Sequence, residues 1–464
     1  MKQDGMRSES DSMGKLEVPH AAYYGGNTRR AELNFPISDL RFGRSFIKAI
    51  GQIKQASAKV NKELNTLDPH IADIIIDAAE RVMNGEFDQE FVVDIFQTGS
   101  GTSTNMNANE VIANVGIESL GGILGSKNPI HPNDHVNKGQ SSNDVIPTTI
   151  HLAAAGAIKN DLIPAMEQLE QSFQEKSKEF WEIVKTGRTH LQDATPIRLG
   201  QEFLGYKGQM TNGIERAKKA LDELCVLPLG GTAVGTGIGM HPKFAFKVIE
   251  QLKNMTGLNL SETKNHFQAQ STVDNCVAAS GEIKTIAVSL MKIANDIRWL
   301  GSGPRAGLGE ISIPEVQPGS SIMPGKVNPV IAESVTMVCA QIIGNDNTIT
   351  IAGQSGNFEL NVMMPVTAYN LLQSIDLLSK SCSNFSTQCV DGLKETEKGP
   401  NMVLEGLAIC TALVPIIGYD KAADIAHEAA KTGETIKQVA SRRTDIDKIE
   451  LDRILDPIKM TESD

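Results

Sequence analysis

Val273, Cys276, Ser280, Ile283, Ala287, Leu290, Ala294 and Ile297 fall at alternating steps of three and four, which lines one face of a long helix with small and aliphatic side chains. Leu371, Ile375, Leu378, Cys382, Phe385 and Cys389 repeat the pattern, at about 3.5 residues per step on average. Neither stripe can face water. Two near-heptad stripes predict long helices in a bundle or coiled-coil-like association, an arrangement that invites partner subunits. Further helices are expected over about 150–185, 200–225 and 328–351. Low aromatic content, 5%, favours aliphatic helix packing over a β-sandwich or barrel.

A chain of 464 residues exceeds one ordinary core. Two or three domains, or one very elongated one, are expected; as three they run as a mixed, mostly helical 1–139, a long-helix bundle over 140–395, and a small helical 396–464. The last begins near the Gly399-Pro400 breaker and includes a short helix over 422–430. A formal charge of −12 argues against a general nucleic-acid or acidic-membrane surface, so an anionic substrate must meet a local positive site. The six cysteines are widely spaced and form no C-x-x-C pair, which gives no indication of zinc or an iron–sulfur cluster. No metal or cofactor is expected. Met1 to Met13 mix charges without an apolar core, and no apolar run could span a bilayer, so the expected location is the cytoplasm.

The chemistry-bearing residues lie in the connections. Gly319-Ser320-Ser321-Ile322-Met323-Pro324-Gly325-Lys326-Val327-Asn328-Pro329 joins two hydroxyls, an ammonium and an amide in a loop punctuated by glycine and proline. Lys326 and Asn328 can hydrogen-bond a carboxylate whose charge grows as a proton leaves the adjacent carbon. The expected chemistry is proton abstraction beside a carboxylate, followed by β-elimination. A phosphate cradle, G-x-x-x-x-G-K-[ST], fails on spacing, and Val327 stands where its metal-binding hydroxyl should be.

Three more polar loops accompany it. Thr98 to Asn107 places Ser100, Gly101 and Thr102 ahead of a helix expected at Glu110, where free N–H groups and short hydroxyls suit a carboxylate. His131 to Asp144 contains Ser141, Ser142 and Asn143. Taken alone, both loops also read as ordinary caps and turns. Gly187 to Pro196 holds Thr189 and His190, the one side chain there with an ordinary pKa near neutrality. Gly230 to Gly239 lacks a βαβ context and reads as a tight wall or backbone turn, not a dinucleotide loop.

The wording of the 319–329 loop, together with Asp11-Ser12-Met13-Gly14 and Tyr24-Gly25-Gly26-Asn27-Thr28-Arg29, resembles the fumarase/aspartase superfamily, and within it the class II fumarases. The resemblance runs nearly end to end. It implies a mainly α, three-domain fold whose long helices form the shared core of a homotetramer, with active sites built from several subunits. It implies Ser320 as the carbanion-side base, Lys326 and Asn328 as stabilisers of the resulting anion, and His190 paired with Glu333 to handle water. Ser100, Gly101, Thr102, Ser141, Ser142, Asn143, Thr189, Ser321, Lys326, Val327 and Asn328 are implied around the substrate. His131, Pro132, Asn133 and Asp134 are implied at a secondary anion site, where Asn128 departs from the Arg of some fumarases.

The implied reaction is reversible hydration of fumarate to (S)-malate by anti addition. Aspartate ammonia-lyase shares the signature loop and stands as the alternative, although Thr98-Gly99-Ser100, Gln140-Ser141-Ser142 and Asp193-Ala194-Thr195 favour fumarase wording. A non-catalytic structural role like that of the superfamily's lens crystallins would be marked by loss of the acid–base set. Ser320, His190, Lys326 and Glu333 are all present here.

Overall fold

The computed structural model describes residues 5–462. It is mostly helical. A hairpin, β1 (Met6–Asp11) and β2 (Gly14–Pro19), precedes α1 (Gly26–Asn34), α2 (Arg44–Glu63), α3 (Pro69–Met83), α4 (Thr102–Ser119), α5 (Ser142–Ala157) and α6 (Ile163–Glu179). After the hairpin of β3 (Val184–Thr189) and β4 (Gln192–Arg198) come α7 (Leu199–Leu224), α8 (Phe244–Thr256), α9 (His266–Ser271), α10 (Asp274–Leu300), α11 (Val330–Gly353) and α12 (Met364–Gln388). The chain ends through α13 (Lys398–Val403), α14 (Val414–Ile417), α15 (Tyr419–Thr432), α16 (Ile436–Arg443) and α17 (Lys448–Ile454). Of the Met1 to Met13 stretch, residues 1–4 lie outside the described residues; Met6–Asp11 pairs antiparallel with Gly14–Pro19.

Both predicted stripes are interior. Every residue of the Val273–Ile297 series and of the Leu371–Cys389 series is buried. The six cysteines carry no disulfide, and burial pushes their thiols up, that of Cys276 to about 12; five are buried core side chains and Cys410 is half-buried. No described helix is long and apolar enough to cross a membrane.

The chain divides into two compact units. The first comprises residues up to Pro164, Glu215–Ala287 and Ala340–Ser379. In it α2 packs on α3, α5 and α8, and α3 on α4. Helix α4 is buried almost all round, with Asn105, Asn107, Asn109 and Glu110 inside, so each of these polar groups needs a partner. Glu110 meets that need by accepting from the backbone N–H groups of Gly25, Asn27 and Thr28 and from the Thr28 hydroxyl, which fixes the start of α1.

The second unit comprises Ala165–Ile214, Val288–Cys339 and the residues from Lys380 onward. The β3–β4 hairpin packs on α13. Ile409, Leu413, Ala422, Ile425, Ala429, Ile436, Val439, Ala440, Leu451 and Leu455 form a buried apolar cluster within the last sixty or so residues.

Three local expectations need correction. The helix expected from Glu110 begins at Thr102, because Gly101 takes a left-handed N-cap conformation (φ 72°) and tertiary hydrogen bonds override the weak helix propensity of Thr and Asn. The 150–185 helix is interrupted by a wide turn at Ile158–Leu162, just before Pro164, which has no N–H to donate; it stops at Glu179, and Lys185 lies in β3. Gly399-Pro400 does not break the chain but sits in the first turn of α13, where proline is tolerated.

Candidate active site

In the first unit, the N-terminal ends of α4 and α5 carry the expected carboxylate donors. Gly99 has no room for a Cβ, which would lie 1.8 Å from the Val362 carbonyl oxygen, and its own carbonyl accepts from Met364 N–H at 3.0 Å. The chain therefore enters α4 pressed against the 361–364 segment. Ser100 and Thr102 share a hydrogen bond of 2.8 Å between their hydroxyls. Gln97 holds the first turn by accepting from Thr104 N–H at 3.0 Å.

Helix α5 begins with a capping box. Ser141 Oγ accepts from Asn143 N–H at 3.2 Å, and Asp144 accepts from Ser141 N–H at 3.0 Å. Asp144 is fully buried and also accepts from the N–H groups of Gly230 at 3.1 Å and Thr232 at 2.9 Å. Burial raises its carboxyl pKa, while those amides and Lys54 oppose the rise. The Gly230 to Gly239 stretch is thus a backbone turn clamped by Asp144, and Asn143 adds a bond to the Ala233 carbonyl at 2.8 Å. Asn105 Nδ2 donates to Ser142 Oγ at 3.1 Å, so the Thr98 and His131 loops meet in the structure, a convergence that their sequences do not announce.

Pro132, Asn133 and Asp134 lie in one wide helical turn over Pro132–Val136, which His131 caps. His131 Nδ1 accepts from the N–H groups of Asn133 and Asp134, each at 3.2 Å, which leaves Nε2 as the ring atom available to a ligand. Its own N–H donates to His135 Nδ1 at 3.0 Å. Burial lowers the His135 pKa, consistent with a neutral acceptor ring.

In the second unit, Thr189 pairs with Gln192, which leaves His190 and Leu191 as a two-residue turn with φ of 55° and 58°. Such a turn needs left-handed backbone at both positions and normally takes Asn-Gly. Placing His and Leu there costs about 1–3 kcal/mol per residue, so the surrounding structure must hold the turn. His190 is exposed at the tip, and among the described residues its ring makes no hydrogen bond, to Glu333 or to any other group. Beneath the tip, Lys185 Nζ contacts Glu202 at 2.7 Å and Glu310 at 3.0 Å, and Arg188 donates to Glu310 at 2.7 Å. These buried charges pin the strand that carries His190.

The 319–329 loop closes into a ring. The Asn328 side-chain amide donates to the Gly319 carbonyl, and a Cβ at Gly319 would lie 1.7 Å from the Lys326 carbonyl oxygen. Inside the ring Ser320 Oγ accepts from the N–H groups of Met323 at 3.1 Å and Ile322 at 3.3 Å. Two N–H donors aimed at one hydroxyl oxygen stabilise negative charge on it. Ser321 and Lys326 are exposed, as is the Val327 side chain at 41%. Pro329 and Val330 open α11, and Glu333 N–H bonds the Pro329 carbonyl, which places Glu333 in the first turn.

The residue that sequence reasoning missed is Lys54. It is fully buried on α2, and its Nζ donates to Asn105 Oδ1 at 2.8 Å, Gln140 Oε1 at 2.9 Å and Asn137 Oδ1 at 3.0 Å. A signal was available: Ile47, Ile50, Lys54 and Ser57 fall at three- and four-residue steps, so the lysine interrupts an apolar stripe.

Comparison with known families defines the class as a lyase: residues 14–344 match the family model described as Lyase, and 409–462 match the Fumarase C C-terminus. The chain is 50% identical to "Fumarate hydratase class II 2" of Bradyrhizobium diazoefficiens over 98% of its length and 96% of that protein's, and 50% identical to the class II fumarate hydratase of Neisseria meningitidis, with 98% of each covered. The crystal structure of the class II fumarase from Schistosoma mansoni superimposes with a TM-score of 0.96 at 37% identity, covering 98% of this chain and 99% of that one. The chain belongs to the class II fumarate hydratase family.

Proposed function

We propose that this protein catalyses the reversible hydration of fumarate to (S)-malate, with Ser320 as the base on the carbanion side. In the dehydration direction Ser320, as alkoxide or strongly activated hydroxyl, takes the C3 proton of malate, and the electron pair moves into the adjacent carboxylate to give its dianionic aci form. Lys326, by its charge, and Asn328, by a hydrogen bond, stabilise that dianion. The pair then re-forms as the C2–C3 double bond and expels the C2 hydroxyl, which leaves as water with a proton from the His190–Glu333 side. The two groups act on opposite faces, so the elimination is anti.

The observation that carries the reading is the pair of N–H groups on Ser320 Oγ inside a loop that also bears Lys326 and Asn328. A serine is ordinarily too weak an acid for this task, and oriented amides plus a nearby ammonium lower the cost of its ionisation. Ser100, Gly101, Thr102, Ser141, Ser142, Asn143, Thr189, Ser321 and Val327 surround the two carboxylates, and the Gly319 to Asn328 ring closes over them. His131 to Asp134 form the secondary anion site, weakened by Asn128. No metal ion or organic cofactor enters any step.

The proposal includes a cytoplasmic homotetramer, active sites shared between subunits and the division into 1–139, 140–395 and 396–464. Relatives named as fumarate hydratases favour water over ammonia as the leaving group. Ultraviolet assays of fumarate formation from malate and from aspartate, in chelator-treated buffer, test the choice. Turnover of malate alone is expected; ammonia release from aspartate without malate turnover would overturn it.

A further inference from the structure

An ammonium has three N–H donors, and Lys54 Nζ meets three side-chain amide oxygens, those of Asn105, Gln140 and Asn137. Burying a lysine in an apolar helix face is costly unless its hydrogen bonds are satisfied, and an aliphatic residue would fill the same space without that cost. Burial pushes its pKa down to about 7, with the nearby Asp144 carboxylate opposing. So expensive a group must order something.

The consequence falls on Asn105. With Oδ1 committed to Lys54, the amide is held in one orientation, and its Nδ2 faces Ser142 Oγ at 3.1 Å and Asn137 Oδ1 at 3.2 Å. A Ser142 oxygen that accepts from Asn105 must send its own proton elsewhere. Among the described residues it has no protein acceptor, and the side chain is partly exposed at the N-terminus of α5. The proton is therefore aimed at whatever anion arrives there. The same lysine fixes Asn137 and Gln140, whose Nδ2 and Nε2 bond the Gln140, Val136 and Lys138 carbonyls that shape the approach to Ser141.

We propose that Lys54 is a positioning residue for substrate binding: acting through the Asn105 amide, it turns the Ser142 hydroxyl into a fixed donor for a substrate carboxylate. The proposal rests on the reading of Ser142 as a carboxylate donor. Lys54 itself touches no substrate.

The test is a double-mutant cycle on the full-length protein, with malate as substrate, over Lys54→Met, Ser142→Ala and the pair. Each single change raises KM about 10-fold, the scale of a hydrogen bond to a charged group, with kcat within about 2-fold. The pair is no worse than Ser142→Ala, because the lysine acts through that hydroxyl. Multiplied effects would overturn the proposal. A raised KM in Ser142→Ala beside an unchanged one in Lys54→Met would overturn it while sparing the reading of Ser142; an unchanged KM in Ser142→Ala would overturn both. If Lys54→Met does not fold, Asn105→Ala replaces it in the cycle and must give the same non-additive rise.

Discussion

Gly319→Ala puts the smallest possible perturbation into the ring that holds Ser320. A Cβ at this position would lie 1.7 Å from the Lys326 carbonyl oxygen, whereas real Cβ atoms essentially never approach within 3.0 Å. The ring must therefore open by at least the 1.3 Å difference. The atom struck is backbone, so no flexible side chain can absorb the shift. Opening moves Lys326 and loosens the Asn328 bond to the Gly319 carbonyl, two of the groups assigned to the developing anion. Misplacement of a reacting group by about 1 Å costs on the order of 100-fold, so kcat/KM for malate should fall by roughly that factor or more. Ser321 to Lys326 are exposed and contribute nothing to the core, so the unfolding midpoint should stay near that of the wild type. The assay is steady-state fumarate formation alongside a thermal melt. Wild-type kcat/KM in the variant would refute the claim that the closed ring is the reactive geometry.

Four shorter predictions concern Ser320 itself and three positions elsewhere in the structure. Ser320→Ala should lower kcat by about 1,000-fold or more with the oligomer intact by light scattering, and persistent activity would displace Ser320 as the base. Gly101→Ala adds a Cβ 2.8 Å from Ile146 at φ 72°, so it should destabilise the protein by about 1–3 kcal/mol and raise KM, measured by denaturant unfolding and kinetics. Glu310→Gln leaves Lys185 and Arg188 short of a buried counter-charge and should cost about 3–5 kcal/mol, read in the same unfolding assay. His151 is buried with its pKa pushed down to about 4 from 6.5, and its Nδ1 bonds the Val226 carbonyl at 2.7 Å. The unfolded chain takes up that proton first, so this contribution is fully present above about pH 6.5 and is lost as pH falls towards 4, by about 3 kcal/mol. His151→Gln should flatten stability over that window, and an unchanged acid slope would contradict the assignment.

The long helices were legible because burial writes a period into the sequence. Val273 to Ile297 and Leu371 to Cys389 needed only their spacing, and every one of those residues is interior. The start of α4 was not legible. Thr102 to Asn107 are poor helix formers, and what makes them helical is Gln97, Lys54 and the αL conformation of Gly101. The wide turn before Pro164 lay hidden inside an apolar pattern that both regular and slipped turns satisfy.

At the site, hydroxyls and glycines in loops pointed to anion handling, and the structure adds two backbone N–H groups aimed at Ser320 Oγ. The role of Lys54 escaped because a lone lysine in an apolar helix stripe reads as an interruption, and its partners, which lie on other elements, come only with the fold. His190 is the reverse case. Its residue type suggested proton transfer, and the structure adds a strained turn that composition alone could not reveal.

The most direct measurement is hydration of fumarate in deuterium oxide, followed by proton NMR of the malate formed. Opposed groups, Ser320 delivering to C3 and the His190–Glu333 side to C2, predict malate carrying one deuterium at C3 in the one diastereomer that anti addition gives. The syn diastereomer, a mixture of both, or no malate at all would contradict the account.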